Sequence, residues 1–447
     1  MKNNWFIGCF FILGSIIPVI GQRTWNLEQC IEYGWDNNLS IQTQELGVKI
    51  QQTNYLQANN NLLPAFSAQS SINKYFGRSI DPATNTYIDV QFFDNSYGLS
   101  STIEVFSGFM KINTIAMERF TYEAEKNKLQ QVKNMVALSI INGYFNQLLN
   151  EGLSAIALEN YQLSREQYDY TSRLVQVGRK AGTDLLEIDA SLAADSFLLV
   201  QSCHLLEQAS LDLKYQMNYP LEDTLDIDTV LFSVFTGSMD TLTMEELFNL
   251  ASEALPDMRM AENQVNAAKK AVKISKGSFS PRIGFYAGWG SNYATTLTDD
   301  NDQVIPFPDQ ISNNGSEYLS IGLDIPLFTR FSKYTALRKS KLLYEQARIQ
   351  YDDEANKLRM AVEKSLTDWR SARAEYHSAR KQLLQSEKAF EAAEKKLDKG
   401  LINIIEYYIQ KNKVFRAKTE VLRTGLQALL KERYIRFLMT GSWIIEN

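Results

Sequence analysis

In the segment YLSIGLDIPLFTR, Tyr318–Arg330, every second residue from Leu319 to Leu327 is a large aliphatic one, and the residues between them are Ser, Gly, Asp and Pro. Its apolar positions are Leu319, Ile321, Leu323, Ile325 and Leu327. Such alternation predicts a half-buried β-strand with one apolar and one polar face. Directly after it comes a stretch of roughly seventy residues with the pattern of one continuous helix. A chain of long helices that also carries short, one-sided strands calls for an explanation.

The same order of segments occurs twice along the chain. NLEQCIEYGWDNNLS, which begins at Asn26, resembles TMEELFNLASEALPD, which begins at Thr243, and the alignment continues without a gap to the first strands. IEVFSGFMK, from Ile103, aligns with IPLFTRFSK, from Ile325, and the same spacing then holds to the end of the repeat. Two constant offsets over most of the chain indicate an internal duplication.

Each half is predicted to contain a helix, two strands, a very long helix and a further helix. In the first half the helices cover 26–61, 108–177 and 184–217, and a polar loop at 77–95 separates the strands; the matching loop is 291–317. The long helix would span roughly 100 Å and each shorter helix roughly 50 Å, so two short helices stacked end to end would match one long helix.

A seven-residue apolar repeat runs along both long helices. It comprises Ile115, Tyr122, Leu129 and Val136 in the first copy and Leu337, Tyr344, Tyr351 and Leu358 in the second. This spacing is typical of a coiled coil, and a stripe of an ordinary helical bundle is the alternative. The predicted fold class is therefore mainly α with a small β part, built from duplicated long coiled-coil hairpins.

Composition excludes several classes of protein. The chain has 447 residues, of which 45% are hydrophobic and 22% charged, and a net charge of −6. It can bury a sizeable core, and the absence of a Lys/Arg block argues against a nucleic-acid partner.

The N-terminal segment has the features of a secretory signal peptide. Lys2 precedes an apolar run from Trp5 to Ile20, and Gly21 is a small residue at which a signal peptidase could cleave. An uncleaved membrane anchor is the alternative, but the run is short for it; lipidation at Cys9 is a weaker alternative. We therefore expect an exported protein with a signal peptide at 1–21.

No pattern of chemistry-bearing residues indicates an enzyme, a metal site or a cofactor. Cys30 and Cys203 could form at most one disulfide, and His204 and His377 are the only histidines. Phosphate-binding loops and nucleophile motifs are missing. Paired carboxylates such as Glu245-Glu246 and Asp352-Asp353 are expected to solvate helix faces.

The strands are the length of transmembrane barrel strands and have one apolar face. The predicted lipid-facing residues are Ile283, Phe285, Trp289, Leu319, Ile321, Leu323 and Ile325; Glu104 and Asp324 are on the polar face. Four strands cannot close a barrel, and open edges are not tolerated in lipid, so the barrel would be shared between chains. A small soluble sandwich packed on the helices is the alternative.

Together these features resemble the TolC-like outer-membrane efflux protein family. The resemblance covers 26 to about 440 and lies in two kinds of motif. One is the duplicated junction of strand, Phe-[Ser/Thr]-x-x-x-Lys and long helix, at Val105–Lys111 and Leu327–Lys333. The other is the pair of segments VGRKAGTDLLEIDASL (177–192) and KGLINIIEYYIQKN (399–412), where the chain turns between helices.

The resemblance implies a homotrimer with a twelve-stranded barrel in the outer membrane and a helical tunnel in the periplasm. It also implies a periplasmic adaptor (membrane fusion) protein and an inner-membrane pump as partners. The channel would conduct drugs, metals or proteins passively, as the exit duct of a tripartite efflux or type I secretion system. The rival hypotheses are a soluble periplasmic coiled-coil scaffold and an outer-membrane enzyme.

The family docks on its adaptor through Val-Gly-Leu tips, which this chain keeps in part. Val177 and Gly178 match in the first tip and Gly400 and Leu401 in the second, whereas Arg179 and Lys399 depart from the pattern. The family also closes its periplasmic aperture with acidic residues after the second tip. Glu406 matches the first of these and Ile409 replaces the second; Asp184 and Glu187 are the equivalents in the first copy.

The expected division of the chain follows from the duplication. It consists of a signal peptide at 1–21, a first repeat at 22–217, a linker or equatorial segment at 218–242, a second repeat at 243–440 and a tail at 441–447.

Overall fold

The structure, a computed structural model, describes residues 24–80, 85–89, 91–228 and 242–444. Long helices dominate it, and a four-stranded antiparallel sheet lies at one end of the long helices, which confirms the predicted fold class. The predicted signal peptide at 1–21 and most of the predicted linker are outside the described residues.

The elements in chain order are α1 (Leu27–Asn37), α2 (Leu39–Asn60), β1 (Ala65–Tyr75), β2 (Arg78–Ile80), β3 (Tyr87–Asp89), β4 (Phe92–Phe106), α3 (Met110–Gln176), α4 (Gly182–Met217), α5 (Met244–Ala254), α6 (Pro256–Gly277), β5 (Arg282–Ala294), α7 (Phe307–Asn313), β6 (Ser316–Asp324), α8 (Ser332–Asp398) and α9 (Ile404–Thr440).

The predicted duplication is present in the element boundaries. The starts of α1, α2 and β1 precede those of α5, α6 and β5 by one constant spacing, which is the first offset seen in the sequence. The starts of α3 and α8 are separated by the second offset, and each of these helices contains 67 residues. The two halves therefore share one architecture, and they differ mainly in the loops between their strands.

The helix predicted at 26–61 is in fact two helices. The backbone is extended at Asn38 (φ −71°, ψ 126°), and the Asn38 side chain caps α2 by accepting from the N–H of Ser40. In the second copy the break falls at Leu255, because Pro256 follows it and favours a helix start over a continuing helix. At the N-terminus of α1, Asn26 and Gln29 form a capping box.

The predicted loops contain more structure than expected. The loop at 77–95 includes the β2–β3 hairpin, and β4 already begins at Phe92. The loop at 291–317 includes the end of β5 and the short helix α7.

The opening segment is a strand only as far as Asp324. Its partner strand β5 begins at Arg282, which is opposite Asp324, so later residues have no strand to pair with. Pro326 also lacks the N–H that a ladder needs. The placement of Ile325 in a lipid-facing strand was therefore wrong, because Ile325 follows β6.

The short helices stack end to end, as their lengths predict. Asn38 donates its side-chain N–H to the carbonyl of Gln216 (3.1 Å), and Asn218 donates to the carbonyl of Asn37 (3.1 Å). In the second copy the corresponding contact is made by Gly441, which ends α9 with φ +70° and lies against Ala254 at the end of α5. A Cβ there would lie 2.8 Å from the carbonyl oxygen of Ala254. Each half thus has one continuous rod and one spliced rod.

The two strand-to-helix junctions have the same construction. Phe109 and Phe331 precede the long helices with left-handed backbones, both at φ 60°. Beyond each junction a lysine donates to the carbonyl that ends the neighbouring short helix. Lys111 Nζ contacts Asn61 O at 2.8 Å, and Lys333 Nζ contacts Ser278 O at 2.6 Å. A cation is favourable there because the helix C-terminus carries partial negative charge.

The main apolar core lies where the two halves meet. Its members come from several helices of both halves, and almost fully buried examples are Ile140, Leu213, Leu247, Trp369 and Ile435. The described part of the predicted linker joins this core through Leu225 and Ile227. Ile227 also forms an isolated bridge with Trp25.

Nearer the α3–α4 and α8–α9 turns, a buried ion pair connects the two halves. Lys411 on α9 contacts Asp195 on α4 at 2.7 Å, and their side chains are only 3% and 8% exposed. Asn160 and Ser164 on α3 donate to the two carboxylate oxygens of Asp195. Burial lowers the pKa of Lys411, and the hydrogen bond to Asp195 opposes that shift.

We predict that Asp195→Leu destabilises the protein by about 3–5 kcal/mol, because it leaves the Lys411 ammonium buried without its counter-charge. The double variant Asp195→Leu/Lys411→Met should recover most of that loss, since no buried charge remains. Denaturant unfolding of the purified protein in detergent measures both changes. A double variant as unstable as the single one would show that the two charges are not coupled.

Candidate channel-forming and docking surfaces

The sheet has one contiguous apolar face. Its strand order is β1-β4-β5-β6, and all pairs are antiparallel. Phe285 is opposite both Ile103 and Ile321, and residues directly opposite share a face. This register brings to one face Phe66, Ala68, Ile72, Leu99, Ile103, Ile283, Phe285, Ala287, Trp289, Leu319, Ile321 and Leu323. The structure thus unites the predicted lipid-facing positions apart from Ile325.

The outer strands of the sheet are exposed. Leu319 and Ile321 on β6 are 76% and 75% exposed, and Phe66 on β1 is 80% exposed. The outer edges of β1 and β6 have no partner strand within the described part of the chain. A large apolar face with two open edges is unusual for a sheet in water.

Small residues and two tyrosines form most of the polar face. Ser67 and Ser100 hydrogen-bond across β1 and β4 at 2.7 Å. The ring of Tyr318 lies against Gly288, its partner on β5, so closely that a Cβ on that glycine would collide with the ring. The ring of Tyr286 lies in the same way over Gly284 and Gly322.

Charged residues occupy the end of the polar face next to the helices. Glu104 is opposite Gly284, and Asp324 is opposite Arg282. The sequence placed Glu104 and Asp324 on this face but missed Arg282 and the packing of the two tyrosine rings on glycines. The Gly-x-Tyr-x-Gly alternation of β5 could have indicated the tyrosines, since rings often cover glycines across a sheet.

The predicted tips are turns of one type. After α3, Gly178 has φ +74° and donates to Val175 O, while Arg179 N–H donates to Leu174 O. After α8, Gly400 has φ +68° and donates to Leu397 O, while Leu401 N–H donates to Lys396 O. These paired bonds define the Schellman motif.

The tip glycines serve backbone conformation rather than close packing, because a Cβ on either one would meet nothing within 4 Å. The side chains around them face solvent. Val177 is 68% exposed and Leu401 is 69% exposed, and Arg179 and Lys399 are also exposed.

The predicted aperture residues lie in the first turns of α4 and α9. Asn403 caps α9 and accepts from the N–H of Glu406, whose side chain is exposed. Asp184 holds the corresponding position in α4. Glu187 is exposed, and Ile409 is 48% exposed.

A small apolar cluster holds these two helix starts together. It consists of Ile188 from α4 and Ile404, Tyr407 and Tyr408 from α9. The candidate aperture residues therefore flank one shared contact.

Sequence reasoning missed the buried pair of Lys411 and Asp195. Ile404, Tyr407, Tyr408 and Lys411 follow helical spacing on one side of α9, so a lysine inside an apolar stripe was a detectable signal. Its partner lies in the other repeat and was not detectable.

Two kinds of feature are absent from the described residues. No helix within the described ranges is long and apolar enough to cross a membrane. Among the same residues, no group of three or more His, Cys, Asp or Glu is arranged to hold a metal ion.

Comparison with known proteins agrees with this geometry. The chain is 21% identical over 361 residues to the outer membrane efflux protein BepC of Brucella suis, covering 81% of this chain and 73% of BepC. It is 21% identical over 327 residues to the alkaline protease secretion protein AprF of Pseudomonas aeruginosa, covering 71% of this chain and 64% of AprF.

Solved structures share the fold. VceC of Vibrio cholerae superposes with a TM-score of 0.79 at 14% identity, covering 94% of this chain and 97% of VceC. CusC superposes with a TM-score of 0.78 at 16% identity, covering 96% of each chain. The model of the outer membrane efflux protein family matches residues 35–217 and 247–441, one segment in each repeat. The chain therefore belongs to the outer membrane efflux protein family.

Proposed function

We propose that three copies of this chain assemble into one outer-membrane exit duct. The observation that carries the proposal is the sheet, which has a contiguous apolar face and two edges that pair with no strand among the residues the structure describes. If β6 of one copy pairs with β1 of the next, three copies close a twelve-stranded barrel and leave no open edge. The apolar face then contacts lipid, and the polar face lines the lumen.

The helices support the same assembly. The 67-residue helices α3 and α8 are roughly 100 Å long, enough to extend far into the periplasm. Many large apolar side chains remain exposed on α4 and α8 in the single chain and would be covered by neighbouring copies. They include Leu186, Phe197, Val200, Leu342, Ile349 and Met360.

The duct conducts passively in this proposal, and energy comes from an inner-membrane pump joined through a periplasmic adaptor. The family is one of channel-forming transport proteins rather than enzymes, and we infer that this chain catalyses no reaction. The names of the relatives include both efflux and protease secretion, so drug efflux and protein secretion both remain candidates. A soluble scaffold is not favoured, because it would leave the apolar sheet face in water.

The tips are the proposed docking surface for the adaptor. Val177 and Leu401 are exposed apolar residues on tight turns, beside the exposed cations Arg179 and Lys399. Apolar anchors with a charged rim are typical of protein interfaces.

Glu406 and Ile409 are the proposed aperture residues of α9, and Asp184 and Glu187 those of α4. Three copies would repeat the exposed Glu406 carboxylate around one axis, and an acidic ring attracts cations in a narrow mouth. The other role for Glu406 and Asp184 is stabilisation of the helix N-terminus, which both positions also suit.

We predict that Ile321→Arg destabilises the assembled barrel by about 2–4 kcal/mol, because it places a charge in lipid near the bilayer midplane. Ser320→Arg is the matched control, since Ser320 is adjacent but on the opposite face. Trimer yield in isolated outer membranes measures the effect. Equal tolerance at both positions would contradict the lipid-facing assignment.

We predict that Leu401→Glu leaves the trimer intact and abolishes efflux, because a carboxylate replaces an exposed apolar anchor at the tip. Leu401→Met keeps the apolar character and should retain efflux. Drug resistance or secretion in a host with the matching pump is the measurement, with trimer yield measured in parallel. Normal transport by Leu401→Glu would remove the docking role.

We predict that Glu406→Gln lowers cation selectivity and alters conductance in a planar bilayer, because the ring loses its charge while the side-chain size is kept. Asp300→Asn, in the exposed loop after β5, should change neither property. A Glu406→Gln channel with unaltered selectivity and conductance would return Glu406 to the helix-stabilising role.

A further inference from the structure

The polar face of the sheet contains a cavity lined by an aromatic ring and charged side chains. It has a volume of about 520 Å³ and lies at the end of the sheet next to the helices. Tyr286, Glu104, Arg282 and Asp324 line it, together with two glycines. Its role as a binding site rests on the proposed function, because only an assembled barrel makes this face a lumen.

The ring of Tyr286 lies against the two glycines of this cavity. A Cβ on Gly284 would lie 2.9 Å from ring atom Cζ of Tyr286, and a Cβ on Gly322 would lie 3.1 Å from Cε2. The ring therefore covers two backbone segments that lack side chains. Tyr286 is 42% exposed and lines the cavity, so part of its ring is open to a ligand. An open aromatic face binds planar aromatic groups by stacking and cations by its quadrupole.

A carboxylate, that of Glu104, belongs to the residue paired with one of the glycines beneath this ring. Glu104 is directly opposite Gly284, which the ring covers. Arg282 and Asp324 are directly opposite each other, nearer the helices than Glu104 and Gly284. In the described part of the chain, Arg282 forms an ion pair with neither Glu104 nor Asp324, and Arg282 Nε has no hydrogen-bond partner.

The other cation near Glu104 is already engaged. Lys111 Nζ donates to the backbone carbonyl of Glu104 at 3.2 Å and to that of Asn61 at 2.8 Å. Its charge is directed at the end of α2 rather than at the cavity, and Lys111 is not among the residues that line the cavity. The cavity lining beside the tyrosine ring therefore contains two carboxylates and one guanidinium, with a net charge of −1.

We propose that Tyr286 and Glu104 form a binding site for planar aromatic organic cations, one per chain, in the lumen where the sheet meets the helices. The ring of the ligand stacks on Tyr286, and its positive charge is balanced by Glu104. A cation–π contact in a partly desolvated site contributes roughly 1–2 kcal/mol, which corresponds to roughly tenfold in affinity.

The test is block of the ion current through the full-length protein in a planar bilayer, with ethidium as the aromatic cation. Tyr286→Ser and Glu104→Gln should each raise the half-blocking concentration of ethidium roughly tenfold. Tyr286→Phe keeps the ring and should block like the unmodified channel. Ser100→Ala, elsewhere on the polar face, should also leave the block unchanged.

Two further probes separate the contributions of ring and charge. Tetramethylammonium, which cannot stack, should block more weakly than ethidium, and an aromatic sulfonate of similar size should not block. Equal block by the sulfonate, or ethidium block unaffected by both Tyr286→Ser and Glu104→Gln, would overturn this site while leaving the channel in place. Absence of any current from the unmodified protein would instead contradict the proposed channel itself. If Tyr286→Ser forms no channel, Glu104→Gln and the probe comparison decide.

Discussion

The unpaired edges of β1 and β6 are the constraint on which the rest of this molecule depends. Backbone N–H and C=O groups cannot remain unpaired in lipid, since no water is present to bind them. The described residues supply four strands of such a sheet, so a closed ladder in lipid requires strands from other copies of the chain. The same assembly places the apolar face of the sheet in lipid rather than in water. Oligomerisation is in this sense a requirement of backbone hydrogen bonding.

Because of the duplication, the two repeats build their helices in the same way. Each repeat supplies one continuous rod, α3 or α8, and one spliced rod whose two parts meet at Asn38 and Asn218 or at Ala254 and Gly441. The junction lysines then bind the ends of α2 and α6, so each strand pair is attached to its own helices in one way. The repeated construction places the four strands in register.

The two halves contact each other through chemically different surfaces along their length. Their main contact is an apolar core that includes Ile140, Leu247 and Ile435, and its burial strongly favours the joined state. Nearer the tips they meet through Lys411 and Asp195. A buried ion pair contributes little net stability when intact, yet it is costly to leave half-made. We therefore expect the pair to specify how the halves align more than it strengthens their association.

The sequence by itself determined the features that depend on local periodicity. Alternation fixed the apolar faces of β5 and β6, the 3.6- and seven-residue patterns predicted the long helices, and constant offsets revealed the repeat. Features that depend on a distant partner were decided by the tertiary structure. β6 stops at Asp324 because β5 begins at Arg282. The ring of Tyr286 lies close to Gly322 because that residue, on another strand, has no side chain. Lys411 is tolerated because Asp195 reaches it from the other half. Periodicity is set by neighbouring residues, whereas strand ends and buried charges are set by residues that only folding brings together.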